Sequence, residues 1–382
     1  MKIAILGFGT VGSGAYEAAK SANGIEVKRI LDRRALSEHD DMRTTDFNDI
    51  VNDSEIDLVA ECMGGIHPAL DYVLAAMESG KHVVTPNKAL VSAHYDELME
   101  CAARNHVEFR FTPAAGGGIP WLYNLQRSRR CDTIEEVHGI VNGTCNYILD
   151  SMHTNGKDFG EILKEAQDLG YAERDPSADI EGFDTLRKCV ISTNLAFGTR
   201  VREEDIPVIG ISAITSADIN FFNRHGYVCR LLMNSEVSGS RISAYVEPTL
   251  LTPNHLEANV KANFNLISLT GKNVGTLSFY GQGAGKMPTG TSLVHDMIDI
   301  NEGIGFSHAA NEQAVSSEVD NTLEQHPYYF RLPAGTDFPA DRIASEEKSD
   351  RSRYIITRSM SVSEAHKMAA SYDGAFVAGI KE

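Results

Sequence analysis

The chain has few cysteines and no long apolar run, and both shortages exclude classes of protein. Its six cysteines are spread over 382 residues without a CxxC pair, which excludes a disulfide framework and predicts reduced, mostly buried thiols in a cytoplasmic protein. The thirteen histidines show no metal-ligand spacing. No apolar stretch approaches the roughly 18 residues that span a bilayer. The N-terminus has one early cation, Lys2, and runs straight into a glycine motif, so it does not resemble a signal peptide.

Positive charge is also scarce. Thirty-five Lys and Arg residues face 53 Asp and Glu residues, which gives a net charge of -18. Nucleic acids and anionic membranes are bound through excess Lys and Arg, so neither is an expected partner. A chain of this length exceeds one ordinary hydrophobic core and predicts two or three domains.

The first third of the chain alternates short apolar runs with helical patterns. Three apolar runs, KIAIL, IEVKRIL and KHVVTPN, are separated by amphipathic stretches, which predicts a parallel sheet with helices on both faces. After residue 119 the runs lengthen, and we expect a separate α+β substrate domain over 120–284. The fold class is therefore α/β, with a cofactor domain over 1–119, a second domain and a short tail.

A glycine motif follows the first predicted strand. GFGTVG places Gly7, Gly9 and Gly12 in GxGxxG spacing, with Thr10 and Val11 at the start of the next helix. Glycine suits this position because the pyrophosphate of a dinucleotide must approach bare backbone amides at a helix N-terminus. The alternative is a glycine turn that serves packing alone.

The end of the second strand carries opposed signals about the cofactor. Asp32 lies 20 residues after Gly12, where a carboxylate would bind the ribose hydroxyls of NAD. Arg33 and Arg34 follow directly, and guanidinium groups would suit the 2′-phosphate of NADP. NADP is favoured slightly over NAD, with a solvated arginine pair as the alternative.

The stretch GYAERDPSADIEGFDTLRKC, residues 170–189, is rich in carboxylates but ends in a lysine. If 181–197 is helical, Asp184 and Lys188 share one face at i,i+4 spacing. A tuned lysine could return a proton to an alkoxide or remove one from an alcohol. As an exposed helix pair, the same residues would contribute only about 0.3–0.5 kcal/mol. Asp168 and Glu181 are expected at the surface.

Five stretches, in order over about residues 1–305, resemble the homoserine dehydrogenase family. They are GGIHPALDYVLAAMESGKHVVTPNKAL, AAGGGIP, NGTCNYIL, GYAERDPSADIEGFDTLRK and GQGAGKMPT. The resemblance implies NAD(P)-dependent interconversion of L-homoserine and L-aspartate 4-semialdehyde, in threonine and methionine biosynthesis. It also implies a Rossmann-type domain completed by about 285–310, and a homodimer or dimer of dimers formed largely by the second domain.

The resemblance assigns roles to individual residues. Lys188 is the acid/base, Asp184 orients it or contacts substrate, and Lys88 contacts cofactor and substrate and takes part in catalysis. Glu173 binds substrate, and Asp179 lies in the same loop, where carboxylates could receive the substrate ammonium. The remaining expected contacts are Gly143 and Thr144 for the substrate and Gly283 for the cofactor.

A monovalent cation, Na+, is a candidate ligand near Ala115, Gly117 and Ile119. Family members that bind it supply a glutamate at the position occupied here by Thr112, so this chain departs from the pattern. No other metal is expected.

Residues 327–382 resemble a shortened ACT domain. HPYYFRL, YIITRSMS and a last strand are present, but IASEEKSDRSR is too polar for a buried middle strand. We expect a structural or dimer-forming tail that does not sense threonine. Two other hypotheses compete with homoserine dehydrogenase activity. The protein could be a related NAD(P)-dependent amino-acid dehydrogenase of different substrate, or a catalytically inactive amino-acid-binding regulator.

Overall fold

The computed structural model describes residues 1–36, 38–305 and 318–381. In chain order the strands of this part of the protein are β1 (Lys2–Leu6), β2 (Glu26–Leu31), β3 (Arg43–Thr44), β4 (Leu58–Glu61), β5 (His82–Val84), β6 (Phe109–Arg110), β7 (Ile134–Ile140), β8 (Val228–Ser238), β9 (Arg241–Leu251), β10 (Phe264–Gly271), β11 (Gly275–Gln282), β12 (Gln325–His326), β13 (Tyr328–Pro333), β14 (Ile343–Lys348), β15 (Ser352–Thr357), β16 (Met360–Ser361) and β17 (Phe376–Lys381). The helices are α1 (Thr10–Ala19), α2 (Asn48–Val51), α3 (Ala69–Glu78), α4 (Lys88–Ala93), α5 (Tyr95–Asn105), α6 (Trp121–Arg129), α7 (Gly143–Asn155), α8 (Phe159–Asp168), α9 (Ser177–Ile180), α10 (Phe183–Phe197), α11 (Ser216–His225), α12 (Lys286–Asn301) and α13 (Val362–Ser371).

The chain divides into two compact units. Among the described residues, the first contains 1–131, 194–200 and 281–305, and the second contains 132–193, 201–280 and 318–381. The first unit thus runs past residue 119, because it includes α6, and the tail belongs to the second unit. Residues 306–310 of the expected completing segment, and residue 382, lie outside the described residues.

The first unit contains a six-stranded parallel sheet. Its strand order is β3-β2-β1-β4-β5-β6, which is the order of a Rossmann-type fold. The central strands are fully buried, as at Ile5 and Ala60, because helices cover both faces and only continuous apolar runs fit there. The predicted parallel sheet with helices on both faces is therefore confirmed.

Helix α12 completes this unit by packing on α1. A Cβ atom at Gly290 would lie 2.4 Å from the carbonyl carbon of Gly14, and one at Gly14 would lie 2.2 Å from the carbonyl oxygen of Lys286. Glycine at both positions lets the two backbones come this close, so the distant 286–301 segment packs directly on the helix that follows the glycine loop.

The second unit contains a nine-stranded mixed sheet with the order β11-β10-β7-β8-β9-β17-β13-β15-β14. The pairs that connect β10, β7, β8 and β9 are antiparallel, whereas β17 runs parallel to β9. Together with the helices that this unit contributes, the sheet confirms the expected α+β character of the second domain.

The expected absence of a middle strand in the tail is wrong. The polar segment IASEEK forms β14, which pairs with β15 at the edge of the nine-stranded sheet. An edge strand needs backbone partners on one side only, and most side chains of β14 are exposed, so a polar sequence is tolerated. Between β13 and β14 the chain forms only a short 3-10 turn, Ala340–Arg342, where a full βαββαβ domain would have a helix.

Two expectations about composition can be compared with the structure. All six cysteines are unpaired and four are buried, as predicted for reduced structural thiols. Within the described ranges, no helix combines the length and apolar character needed to cross a membrane.

Candidate active site

The glycine loop connects β1 to α1, and glycine occupies its three GxGxxG positions, 7, 9 and 12, for different physical reasons. Gly7 adopts φ +90°, a left-handed conformation that favours glycine. A Cβ atom at Gly12 would lie 2.0 Å from the carbonyl oxygen of Gly7. Gly9 has an ordinary φ of -82°, and a Cβ atom there would meet no heavy atom within 4 Å. Packing therefore explains Gly7 and Gly12 but not Gly9.

The open space at Gly9 lies at a helix N-terminus. Gly9 is the N-cap of α1, and no side chain caps this helix. Thr10 and Val11 are the first helical residues, so their N–H groups belong to the set that a helix leaves without intrahelical partners. These amides and the positive end of the helix dipole fit a pyrophosphate.

Asp32 is held by the backbone of the glycine loop and by Arg34. Its carboxylate accepts hydrogen bonds from the backbone N–H of Phe8 at 2.8 Å, and from Nε and Nη2 of Arg34 at 3.0 and 2.9 Å. These Arg34 bonds hold the pKa of the Asp32 carboxyl well below its usual range. Arg33, the other arginine named from the sequence, is exposed.

The ends of β4 and β5 carry a hydrogen-bond network that sequence reasoning missed. Glu61 is fully buried, and its carboxylate accepts from the hydroxyl of Thr85 at 2.6 Å and from the N–H of Met63 at 2.6 Å. Burial raises the pKa of this carboxyl. The sequence did offer a signal for this buried carboxylate, because Glu61 is the one acid in the apolar run LVAECM. The network fixes two loops at the carboxyl edge of the sheet, where open α/β folds bind ligands.

Lys88 is the first residue of α4, directly after the β5 loop. The helix is capped by Asn87, whose side-chain oxygen accepts from the N–H of Leu90 at 3.2 Å while its amide donates to the carbonyl of Gly65 at 2.6 Å. Lys88 is half-buried. Its backbone position is thus set by a cap that also joins the two loops of this edge.

The glycine-rich run 115–118 packs against the later glycine loop. A Cβ atom at Gly117 would lie 2.3 Å from the carbonyl oxygen of Gly283, so the structure brings these two predicted residues together. Nearby, Thr112 uses both its hydroxyl and its backbone N–H as donors to the carboxylate of Asp296, at 2.6 and 3.1 Å. Burial raises the pKa of Asp296 to about 7. Ala115 and Ile119 are also buried in this turn.

Lys188 and Asp184 form a buried ion pair in the second unit. Helix α10 places them one turn apart, with Lys188 Nζ 2.7 Å from Asp184 Oδ2, and Lys188 also donates to the carbonyl of Val141 at 2.6 Å. Their relative exposures are 7% and 5%. The two charges of a buried, hydrogen-bonded pair interact more strongly than those of an exposed helix pair, because water screens them weakly.

Asp179 joins this pair through Asn142, whose amide nitrogen lies 2.7 Å from Asp179 Oδ1 and 2.8 Å from Asp184 Oδ2. Thr144, at the start of α7, donates its hydroxyl to the carbonyl of Tyr171 at 2.6 Å and so ties the 170–176 loop to this helix end. Glu173 lies in that loop with an exposed side chain.

Gly143 is required by packing. A Cβ atom there would lie 2.6 Å from the carbonyl oxygen of Asn263.

Among the described residues there is no group of three or more His, Cys, Asp or Glu side chains arranged to hold a metal ion. The charged groups near Lys188 are arranged as an ion pair with a hydrogen-bonding amide.

Comparison with known proteins places these features in a family. Models of the homoserine dehydrogenase NAD binding domain and of homoserine dehydrogenase match residues 7–112 and 120–298. The homoserine dehydrogenase of Synechocystis sp. is 38% identical over 342 residues, covering 85% of this chain and 78% of that protein. The Bacillus subtilis enzyme is 37% identical over 325 residues, covering 81% and 75%. The crystal structure of a homoserine dehydrogenase from Thiobacillus denitrificans superimposes with a TM-score of 0.85 at 30% identity, covering 100% of this chain and 98% of that one. The chain belongs to the homoserine dehydrogenase family.

Proposed function

We propose that the protein interconverts L-homoserine and L-aspartate 4-semialdehyde, with Lys188 as the acid/base. The buried Lys188–Asp184 pair carries this proposal, because it puts a tunable proton carrier in the unit expected to hold substrate. The match to the NAD binding domain model indicates a nicotinamide cofactor. The N–H groups of Thr10 and Val11, beside the open space at Gly9, fit its pyrophosphate.

The residues of the second unit manage the proton. When bound, the nicotinamide accepts a hydride in the oxidative direction and supplies one in the reductive direction. In oxidation, the neutral Lys188 amine takes the hydroxyl proton as the C–H electron pair leaves, so an aldehyde forms and the amine becomes ammonium. In reduction, the Lys188 ammonium stabilises the developing alkoxide and returns the proton to it. Asp184 orients Lys188 in both directions.

The carboxylates near the start of α7 are proposed to receive the substrate ammonium. Asp179 is already held close to the acid/base pair through Asn142, and Glu173 lies in the loop tied to Thr144 through Tyr171. We assign Lys88 to contacts with cofactor and substrate, since it follows the carboxyl end of β5.

The test of the reaction follows NADPH and NADH consumption with L-aspartate 4-semialdehyde, in the parent and in Lys188→Ala. We expect turnover in the parent and a loss of about a hundredfold or more in kcat for the variant. Lys164→Ala is the control, because Lys164 is an exposed lysine of the same unit. Unchanged turnover in Lys188→Ala would refute the role of Lys188, and a parent inactive with both cofactors would refute the function.

We propose that NADP is the preferred cofactor. The Asp32 carboxylate, which would bind the ribose hydroxyls of NAD, already accepts several hydrogen bonds from Arg34 and Phe8. The guanidinium of Arg34 and the exposed Arg33 are cations suited to a 2′-phosphate. Arg34→Ala should raise the KM for NADPH and lower that for NADH, because the carboxylate is released. Arg33→Ala is the companion variant, and an unchanged NADPH/NADH ratio in both would contradict this assignment.

We propose that turnover does not depend on Na+. The turn formed by Ala115, Gly117 and Ile119 lacks the glutamate of cation-binding family members, and the hydroxyl of Thr112 in its place is donated to Asp296. Replacing NaCl by choline chloride at equal ionic strength should leave the rate within about twofold, because equal ionic strength keeps the screening of surface charges the same. A large, saturable activation by Na+ would contradict the proposal.

A homodimer and a structural tail complete the proposal. Strand β11 is an exposed sheet edge that carries Tyr280 at 57% exposure, whereas the opposite edge, β14, carries charged residues that discourage pairing. Light scattering should therefore show a dimer.

The tail is proposed to be structural, because it shares a sheet with the second unit through the β17–β9 pairing. Added threonine is therefore expected to leave the rate unchanged. Inhibition at low millimolar concentration would contradict this.

A further inference from the structure

Asn142 is the side chain that connects the parts of the proposed substrate site. It lies at the N-cap of α7, where its Oδ1 accepts from the N–H of Cys145 at 2.7 Å. Its Nδ2 donates to Asp179 Oδ1 at 2.7 Å and to Asp184 Oδ2 at 2.8 Å. The orientation of the amide is determined, because the N–H of Cys145 can only donate, and rotating the amide by 180° would break all three bonds.

Asn142 shares a carboxylate oxygen with the acid/base. Asp184 Oδ2 accepts from Lys188 Nζ at 2.7 Å as well as from Asn142. All three side chains are at least nine-tenths buried, with relative exposures of 5% for Asn142 and Asp184 and 7% for Lys188. Hydrogen bonds in such a weakly screened place influence each other strongly.

We propose that Asn142 is a positioning residue that sets both the geometry and the proton affinity of the Lys188–Asp184 pair. This inference rests on the proposed role of Lys188 as the acid/base. By donating to Asp184, the amide fixes the rotamer of that carboxylate and withdraws part of its negative charge from Lys188. Without this donor, Asp184 would stabilise the ammonium form of Lys188 more strongly, and the lysine would release its proton at higher pH.

The same amide keeps two carboxylates near each other. Asp179 and Asp184 would repel if they approached without a donor between them, and the two N–H groups of Asn142 bridge them. Because Asn142 also caps α7, it fixes Gly143 and Thr144, the first residues of that helix, relative to both acids. Asparagine alone provides an acceptor for the cap and two donors for the carboxylates at this length.

Asn142→Ser and Asn142→Asp separate these roles, because each retains an oxygen that can cap the helix while losing the N–H donors. In homoserine oxidation with saturating substrates, we expect kcat near neutral pH to fall at least tenfold in both variants. The pH of half-maximal kcat should move to higher values, and the KM for the dinucleotide should change less than twofold. Asp is isosteric with Asn, but its carboxylate would by itself favour the ammonium form of Lys188, so the direction of the pH shift is taken from Asn142→Ser. Asn142→Thr, whose hydroxyl can also cap the helix, replaces it if the serine variant folds poorly.

Ser361→Ala is the matched control. Ser361 caps α13 in the tail by accepting from the N–H of Glu364 at 3.2 Å, so its loss should lower the Tm without changing kcat or its pH profile. The neighbouring thiol of Cys145 does not complicate the profile, because burial raises its pKa well above the usual value.

The outcomes separate this inference from the proposed function. A parent that turns over, an inactive Lys188→Ala, and Asn142 variants that keep the parental pH profile would overturn the role of Asn142 alone, even if their kcat fell. A shift of the profile to lower pH would also overturn it. Full activity in Lys188→Ala would instead overturn the function on which the inference rests.

Discussion

Gly9 and Gly12 lie three residues apart in the same loop, yet substitution by alanine should have opposite consequences. At Gly12, the new methyl carbon would sit 2.0 Å from the carbonyl oxygen of Gly7, inside any allowed contact and against backbone that cannot move alone. At Gly9, the methyl group would enter open space, and the φ and ψ values of -82° and -155° are available to alanine. Gly12→Ala therefore tests the stability of the fold, and Gly9→Ala tests the affinity for the cofactor.

The expected magnitudes follow from these distances. Gly12→Ala forces β1 and α1 apart at their junction, and overpacking of this kind costs about 3 kcal/mol or more in the free energy of unfolding. Gly9→Ala should change that free energy by no more than about 0.5 kcal/mol, since it touches nothing. Its methyl group would occupy the approach of the pyrophosphate. Losing one hydrogen bond to a charged group costs about 1.5–3 kcal/mol, or roughly a tenfold to hundredfold weaker Kd.

Thermal unfolding and titration with NADPH, followed by fluorescence, measure the two effects separately. Gly160→Ala is the control, because a Cβ atom there also meets no heavy atom within 4 Å but lies at the start of α8 in the other unit. It should leave the Kd unchanged. The reasoning is refuted if Gly9→Ala binds NADPH as tightly as the parent, or if Gly12→Ala unfolds at the parental temperature.

Two further predictions concern pH. Burial raises the pKa of Asp296 to about 7, so its contribution to stability is complete in acid and is lost as pH rises from about 4 through about 7. Asp296→Asn, which can still hydrogen-bond Thr112, should gain stability over the parent across that range, by an amount on the order of 4 kcal/mol at most. Equal pH dependence in parent and variant would count against this. Burial alone would lower the pKa of His138, but its contacts with Glu136 and Glu257 raise the pKa to about 9. The stabilisation is therefore complete below about pH 6.5 and lost as pH rises through about 9. Chemical denaturation should show the advantage of the parent over His138→Gln shrinking by up to about 3 kcal/mol across that window, and a constant difference would contradict it.

Local patterns predicted the elements well where one rule applied. The GxGxxG spacing after KIAIL predicted the β1–α1 junction, because a strand that turns at once into a helix and leaves room for a pyrophosphate is where glycine is needed at these three positions. The i,i+4 spacing of Asp184 and Lys188 predicted one helical face, and α10 places them there. The polar segment at 343–348 was misjudged, because polarity disqualifies a central strand but not an edge strand.

Other features of the site depend on residues far apart in sequence. Asn142 contacts Asp184 across 42 positions, and Thr112 contacts Asp296 across 184. The choice of Arg34 over Arg33 as the partner of Asp32 depends on the direction in which the chain leaves β2. No spacing rule covers such contacts, so Glu61 and the bridging role of Asn142 were not identified from the sequence.

The sequence by itself determined the family, the order of the elements and the residue types available for chemistry, because these depend on local periodicity and on motifs of fixed spacing. Only the tertiary structure decided which of those residues are buried and which share a hydrogen bond. Burial turns the pair of Asp184 and Lys188 from a weak surface contact into a weakly screened, hydrogen-bonded ion pair, because neighbouring strands and helices exclude the water that would screen it.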